Sequence, residues 1–199
     1  MSQAEALKTL QGSLVQQAEI RFPGQPTVFG VGPATAAVAL IGEAPGKTEV
    51  EEGRPFAGKA GKNLDEFLAL SGIPRDRLYI TNVVKLRPID VGPTGRLRNR
   101  PPRRDEIAFF LPFLDKELRL LSPRLLVTLG NVPLRALAAD DSLTVGQTHG
   151  RVIPSRCGLP LYPLYHPASV IYNRSLGDIY IADVQRLSTL LTERNLLSF

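Results

Sequence analysis

Four side chains suited to gripping a small ligand stand beside Gly or Pro. They are Glu43 in Gly42-Glu43-Ala44-Pro45-Gly46, Phe56 in Arg54-Pro55-Phe56-Ala57-Gly58, Asn82 in Tyr79-Ile80-Thr81-Asn82, and His166 in Tyr165-His166-Pro167. A carboxamide offers a donor and an acceptor, an imidazole offers either according to its tautomer, a carboxylate accepts, and a phenyl ring stacks. The glycines and prolines around Glu43 and Phe56 fix a loop with little side-chain bulk, so its backbone can approach a ligand closely.

These residues need a frame that brings them together. The run Ala36-Ala37-Val38-Ala39-Leu40 is apolar and ends in Gly-x-x-Pro-Gly, which predicts a buried parallel strand over 38–41 leaving a sheet at its carboxyl edge. Further strands are predicted over 78–84, 125–129 and 159–164. Helices are predicted over 3–20, 60–71, 105–121 with a bend at Pro112, 133–139 and 175–191. Strands that alternate with helices imply a parallel sheet covered on both faces. The expected architecture is therefore α/β: one three-layer α/β/α sandwich over residues 1–199 around a central four-stranded parallel sheet. Predicted strands one, two and four end in polar groups, Glu43, Asn82 and His166, so parallel pairing sets them on one rim, where open α/β sheets bind ligands.

Composition narrows the partners. A net charge of +5 and a pI near 9.6 favour a polyanion. The single Cys157 excludes an internal disulfide and any Cys-based cluster, and it fits a reducing, cytoplasmic setting. No apolar run approaches a membrane span, and the N-terminus has no signal-peptide core. Gly42-Glu43-Ala44-Pro45-Gly46-Lys47-Thr48 looks like a phosphate-binding P-loop, but only three residues separate its glycines where four are needed. Gly53 to Ala60 has the spacing, yet it ends in Ala rather than a metal-binding hydroxyl and follows no strand. NTP hydrolysis is not expected.

Taken together, these motifs resemble a known family. Gly42-Glu43-Ala44-Pro45-Gly46 with Glu49, and Gly53-Arg54-Pro55-Phe56-Ala57-Gly58-Lys59-Ala60-Gly61, resemble the first motif of family-4 uracil-DNA glycosylases. Tyr79 to Lys85 resembles their central strand, and Tyr165-His166-Pro167-Ala168-Ser169 their second catalytic motif. The match runs in consistent order over about residues 30–190. That family normally carries four cysteines holding an iron–sulfur cluster. Here Gln16–Gln25 contains none, and Leu86 and Phe110 stand at two of the other positions, so apolar packing is expected to replace the cluster. No metal or cofactor is expected.

The resemblance implies an enzyme that flips uracil out of DNA and hydrolyses its N-glycosidic bond, starting base excision repair and leaving an abasic site. On this reading Phe56 stacks on the base, Asn82 pairs with O4 and N3–H, and His166 donates to O2 as negative charge builds there. Glu43 positions the attacking water, while Glu49 braces the loop. Gly42, Ala44, Gly46 and Ser169 complete the substrate contacts. Related glycosylases of another family have Asp at the position of Ala44, which leaves Glu43 the nearest acid.

Between residues 85 and 104 stand seven basic residues and one acid, Asp90. Lys85, Arg87, Arg96, Arg98, Arg100 and Arg103 are read from this run as phosphate contacts on uracil-containing DNA. Ile171 and Tyr172 are read as an apolar wedge, and His149 as structural or DNA-facing. The loop lacks the His with which covalently trapping members of the superfamily bond their product. Asn99 falls near that place, so trapping is not expected. A monomer is expected. Two other readings keep the scaffold: a glycosylase for another deaminated base such as hypoxanthine, and a non-catalytic binder of damaged or single-stranded DNA.

Overall fold

The structure is a computed structural model that describes residues 2–197, with Ile171, Tyr172 and Arg174 described by backbone alone. Its strands are β1 (Val38–Gly42), β2 (Leu78–Asn82), β3 (Ile89–Val91), β4 (Leu97–Asn99), β5 (Leu125–Leu129), β6 (Ile153–Pro154) and β7 (Pro160–Leu164). Its helices are α1 (Gln3–Arg21), α2 (Lys47–Glu52), α3 (Lys59–Leu70), α4 (Arg104–Leu121), α5 (Asn131–Ala138), α6 (Val145–Thr148), α7 (Pro167–Tyr172) and α8 (Gly177–Glu193).

The main sheet has the order β2-β1-β5-β7-β6. The four expected strands are mutually parallel, and β6 adds a fifth, antiparallel to β7. The expectation of four strands is corrected by this edge strand. Two residues carry no readable alternation, and Pro154, which has no N–H to donate, suits an edge. Every residue of β1, β2 and β5 is buried, as a sheet covered on both faces requires. Alternate side chains divide between two cores. Ala39, Ile41, Tyr79 and Leu126 pack with α1, α4 and α5, whereas Val38, Leu40, Ile80 and Val127 pack with α3 and α8. This is the three-layer sandwich.

The stretch 85–104 is not a plain loop. It contains the β3–β4 hairpin, closed by Gly92-Pro93-Thr94-Gly95, with Gly95 at φ 75° donating its N–H to the Gly92 carbonyl at 2.9 Å. Three-residue strands rich in Arg and Asp look like loop by composition, and only the turn residues signal the hairpin.

Lys85 overturns its assignment as a phosphate contact. Its side chain is 2% exposed and Glu117 beside it is 5% exposed. The ammonium donates to Glu117 Oε2 (2.7 Å), Thr81 Oγ1 (2.6 Å) and the carbonyl oxygen of Asn82 (2.7 Å), which uses all three of its protons. Glu117 also accepts from Tyr79 OH at 2.9 Å and from Thr81 at 3.2 Å. A buried ammonium needs such a set because desolvation is costly unless every donor is satisfied.

Removing one partner of this pair leaves an uncompensated buried charge. Lys85→Met is expected to lower the free energy of unfolding by about 3–5 kcal/mol in chemical denaturation. The double variant Lys85→Met with Glu117→Leu is expected to recover most of that loss.

Candidate active site

The carboxyl ends of β1, β2 and β7 meet in a cavity of about 220 Å³ lined by Ala44, Gly46, Glu49, Phe56, Ala60, Asn82, Asn99, His166 and Ala168. Its size suits one ring rather than a drug-sized ligand, whose sites span roughly 300–1,000 Å³. A larger hollow of about 540 Å³ is lined by Asp115, Arg119, Arg156 and Cys157. It contains none of the four residues singled out above, and its Asp115 and Arg156 already pair with each other.

Asn82 ends β2 with its side chain buried, at 3% exposure. Its carboxamide makes no hydrogen bond among the described residues, although its backbone carbonyl is held by Lys85. A buried amide left without partners at a cavity wall is a polar group awaiting a ligand. Gly42 sits against it: a Cβ there would stand 2.3 Å from Asn82 Oδ1 and 2.6 Å from Phe56 Cζ. The missing side chain lets amide and ring share one wall.

Phe56 is buried with its backbone in the left-handed region at φ 52°. For a non-glycine residue this conformation costs of order 1 kcal/mol or more. The turn is tied to α3, where a Cβ on Gly61 would fall 1.8 Å from the Phe56 carbonyl oxygen. The ring lies 5.9 Å from the His166 ring at 29° between planes. Phe56 thus belongs to the core and to the cavity wall at once.

His166 caps α7. Its Nδ1 accepts from the Ala168 N–H at 3.1 Å. A nitrogen that accepts carries no proton, so the neutral ring holds its hydrogen on Nε2, which is left as a donor. Burial lowers the pKa of His166, with the Glu49 charge opposing, and this favours the neutral ring.

Glu49 joins the two glycine loops. Its carboxylate accepts from Gly46 N–H at 3.0 Å and Gly58 N–H at 2.8 Å, at the first turns of α2 and α3. Glu43 is the contrasting acid. It makes no hydrogen bond or ion pair among the described residues, and burial raises its pKa. Its backbone continues the sheet, its carbonyl accepting from Val84 N–H at 3.0 Å.

Among the other expected contacts, Ala44 and Gly46 line the cavity, while Ser169 lies one residue beyond it and spends its N–H on the His166 carbonyl at 2.8 Å. Glu49, Ala60, Ala168 and Asn99 line it without having been assigned to it; alanines carry no chemical signal in a sequence. The side chains of Ile171 and Tyr172 lie outside the described residues. His149 is structural, with Nδ1 2.7 Å from Asp183 Oδ2.

The arginine run divides. Arg96 and Arg98 are exposed, and Arg103, also exposed, lies 3.6 Å from Asp90. Arg87 donates to Asn99 Oδ1 at 2.7 Å. Arg100 is corrected: its side chain is 15% exposed and forks onto Glu106 at 2.6 and 2.7 Å, with Asp90 at 3.3 Å. It anchors the hairpin to α4 instead of meeting phosphate.

The residues present do not fit an iron–sulfur cluster. The chain has one cysteine, and Leu86 and Phe110 are fully buried in apolar surroundings. Phe110 stacks on Phe22 at 5.9 Å, and Phe109 meets both rings edge-on at 5.2 and 4.9 Å. Phenyl rings close the junction of α1 and α4. Among the described residues no group of three or more His, Cys, Asp or Glu is placed to hold a metal ion, and no helix is long and apolar enough to cross a membrane.

Comparison with known proteins agrees with this geometry. A crystal structure of wild-type Pedobacter heparinus SMUG2 shares the fold, with a TM-score of 0.55 at 12% identity over 81% of this chain and 76% of that one. A type-4 uracil-DNA glycosylase of Sulfurisphaera tokodaii is 34% identical over 170 residues, covering 82% of this chain and 74% of the relative. That of Pyrobaculum aerophilum is 36% identical over 163 residues, covering 79% of each. Residues 29–187 match the family described as the uracil DNA glycosylase superfamily. With that match spanning most of its length and Phe56, Asn82 and His166 gathered in one cavity, the chain belongs to the uracil DNA glycosylase superfamily.

Proposed function

We propose that this protein is a monofunctional uracil-DNA glycosylase that acts on uracil-containing DNA as a monomer, in the reducing cytoplasm that its lone exposed Cys157 fits. One observation carries the reading: a buried, unpartnered carboxamide at Asn82 shares a ring-sized cavity with a His166 whose donor nitrogen is fixed. The relatives named above support uracil as the base.

Extruding the base costs a few kcal/mol, less at a mispair. Phe56 stacks on the extruded ring. Asn82 donates to O4 and accepts from N3–H; cytosine presents the reverse order. As the bond between the sugar C1′ and N1 breaks, its electron pair passes into the ring and onto O2, where His166 Nε2–H donates. Water adds to C1′, and Glu43 orients it and takes its proton. Among the described residues Glu43 is an acid without a protein partner, which favours it over Glu49 for this task. Arg96 and Arg98 meet phosphate. Retention of Asn82, Phe56 and His166 in one cavity argues against a merely DNA-binding protein. Hypoxanthine offers Asn82 the same acceptor–donor pair as uracil, but its two fused rings are a poor match to a cavity that suits one.

An alkali-cleavage assay on a uracil-containing oligonucleotide tests the assignment. The wild type is expected to leave an abasic product, and His166→Ala and Asn82→Ala to lower kcat/KM by about 10²–10³-fold each. A well-folded wild type that releases no uracil would sink the reading.

The pH dependence is specific to Glu43. Its raised pKa means that its ionised, water-handling form appears above the ordinary carboxylate range, so the acid limb of kcat/KM should lie there. Glu43→Gln should flatten that limb and cost about 10²-fold in rate. Stability moves oppositely. An acid whose folded pKa exceeds its unfolded value contributes most below the unfolded pKa, and the contribution is lost as pH rises through the folded one. Glu43→Gln is therefore expected to raise the Tm at neutral pH.

Salt dependence tests the arginines. Arg96→Ala with Arg98→Ala should reduce the slope of log affinity against log salt by about one unit per contact, and an unchanged slope would remove them from the interface.

A further inference from the structure

The β3–β4 hairpin presents two unlike faces. Its register pairs Ile89 with Asn99, Asp90 with Arg98 and Val91 with Leu97. Paired residues share a face and alternate along a strand, so Ile89, Val91, Leu97 and Asn99 stand on one side, with Asp90 and Arg98 on the other. The Asp90 side is tied down through Arg100 to Glu106 at the head of α4. The opposite side is open. Asn99 lines the base cavity, while Val91 and Leu97 are 71% and 54% exposed.

Arg87 settles which end of the Asn99 amide faces the cavity. A guanidinium can only donate, and its Nε lies 2.7 Å from Asn99 Oδ1, so that atom is the carbonyl oxygen. The amide nitrogen is then the atom beside Gly46, where a Cβ would stand 3.2 Å from Nδ2. Its protons make no hydrogen bond among the described residues. A donor is held at the mouth of the cavity, and an exposed apolar pair continues the same face outward.

We propose that this face is a contact surface for the DNA strand that carries the extruded nucleotide. Asn99 Nδ2 donates to an oxygen of that nucleotide, and Val91 and Leu97 cover the neighbouring base. Arg87 acts through Asn99 by orienting it. Continuity with the base cavity favours a nucleic-acid strand as the occupant, and a base plane left unstacked by flipping is an apolar surface to match Val91 and Leu97. The proposal rests on the glycosylase reading.

A single-stranded oligonucleotide carrying a tetrahydrofuran abasic analogue provides the test, because its binding requires no uracil chemistry. Val91→Ser with Leu97→Ser, both at exposed positions, is expected to keep the wild-type Tm and to weaken Kd about tenfold, with the salt slope unchanged. A Kd within twofold of wild type would overturn the surface, as would a loss accompanied by a reduced slope. Asn99→Ala should weaken the same oligonucleotide if the accepting oxygen belongs to the sugar–phosphate, or weaken inhibition by free uracil if it belongs to the base. No change in either would overturn the donor. Arg87→Ala combined with Asn99→Ala should lose no more than Asn99→Ala alone, and additive losses would overturn the orienting role. A wild type that binds the abasic oligonucleotide yet releases no uracil would sink the catalytic assignment and leave this surface standing.

Discussion

A single buried ammonium fixes how β2 leaves the sheet. Lys85 spends its three protons on the Glu117 carboxylate, the Thr81 hydroxyl and the Asn82 carbonyl, and so joins α4, the body of β2 and its last residue at one point. The pair is costly to bury, and its stability comes from completeness rather than from charge alone. Its use is geometric. The backbone of Asn82 is held from behind by groups that never reach the cavity, which leaves both ends of its side chain unspent.

The rim follows a similar division of labour. Groups that hold the shape are fully engaged, while groups suited to a ligand are left incomplete. Glu49 is consumed by two backbone amides and Arg100 by a carboxylate fork, whereas Glu43, Asn82 and His166 Nε2 have no protein partner among the described residues. Two glutamates six residues apart therefore have opposite characters, set by what surrounds them. The left-handed Phe56 fits the same pattern, its strain held in place by the close approach of its carbonyl to Gly61.

Much of this was legible in the sequence. Val38–Gly42, Leu78–Asn82 and Leu125–Leu129 read as strands because both faces are buried and their runs are continuously apolar or β-branched. Asn82 and His166 are legible as polar residues at strand ends, and Phe56 as the large aromatic in a Gly- and Pro-rich loop. The two misassigned cations share one cause: a charge is legible in sequence without its partners. Lys85 and Arg100 count as cations in a basic stretch, but their carboxylates, Glu117 and Glu106, belong to a helix whose packing no local window shows. The hairpin is not legible because β3 carries only two alternating apolar residues and β4 only one. The place of Asn99 in the chain is legible, but its entry into the cavity depends on hairpin register.

The rings of Phe22, Phe109 and Phe110 close the junction between α1 and α4 by apolar contact. Such a closure assembles as the chain collapses and waits for no delivered ion. It is indifferent to chelators and oxidants, and like other hydrophobic contacts it weakens on cooling. Exposure to peroxide should therefore leave this end of the molecule intact, and cooling should weaken it together with the rest of the apolar core.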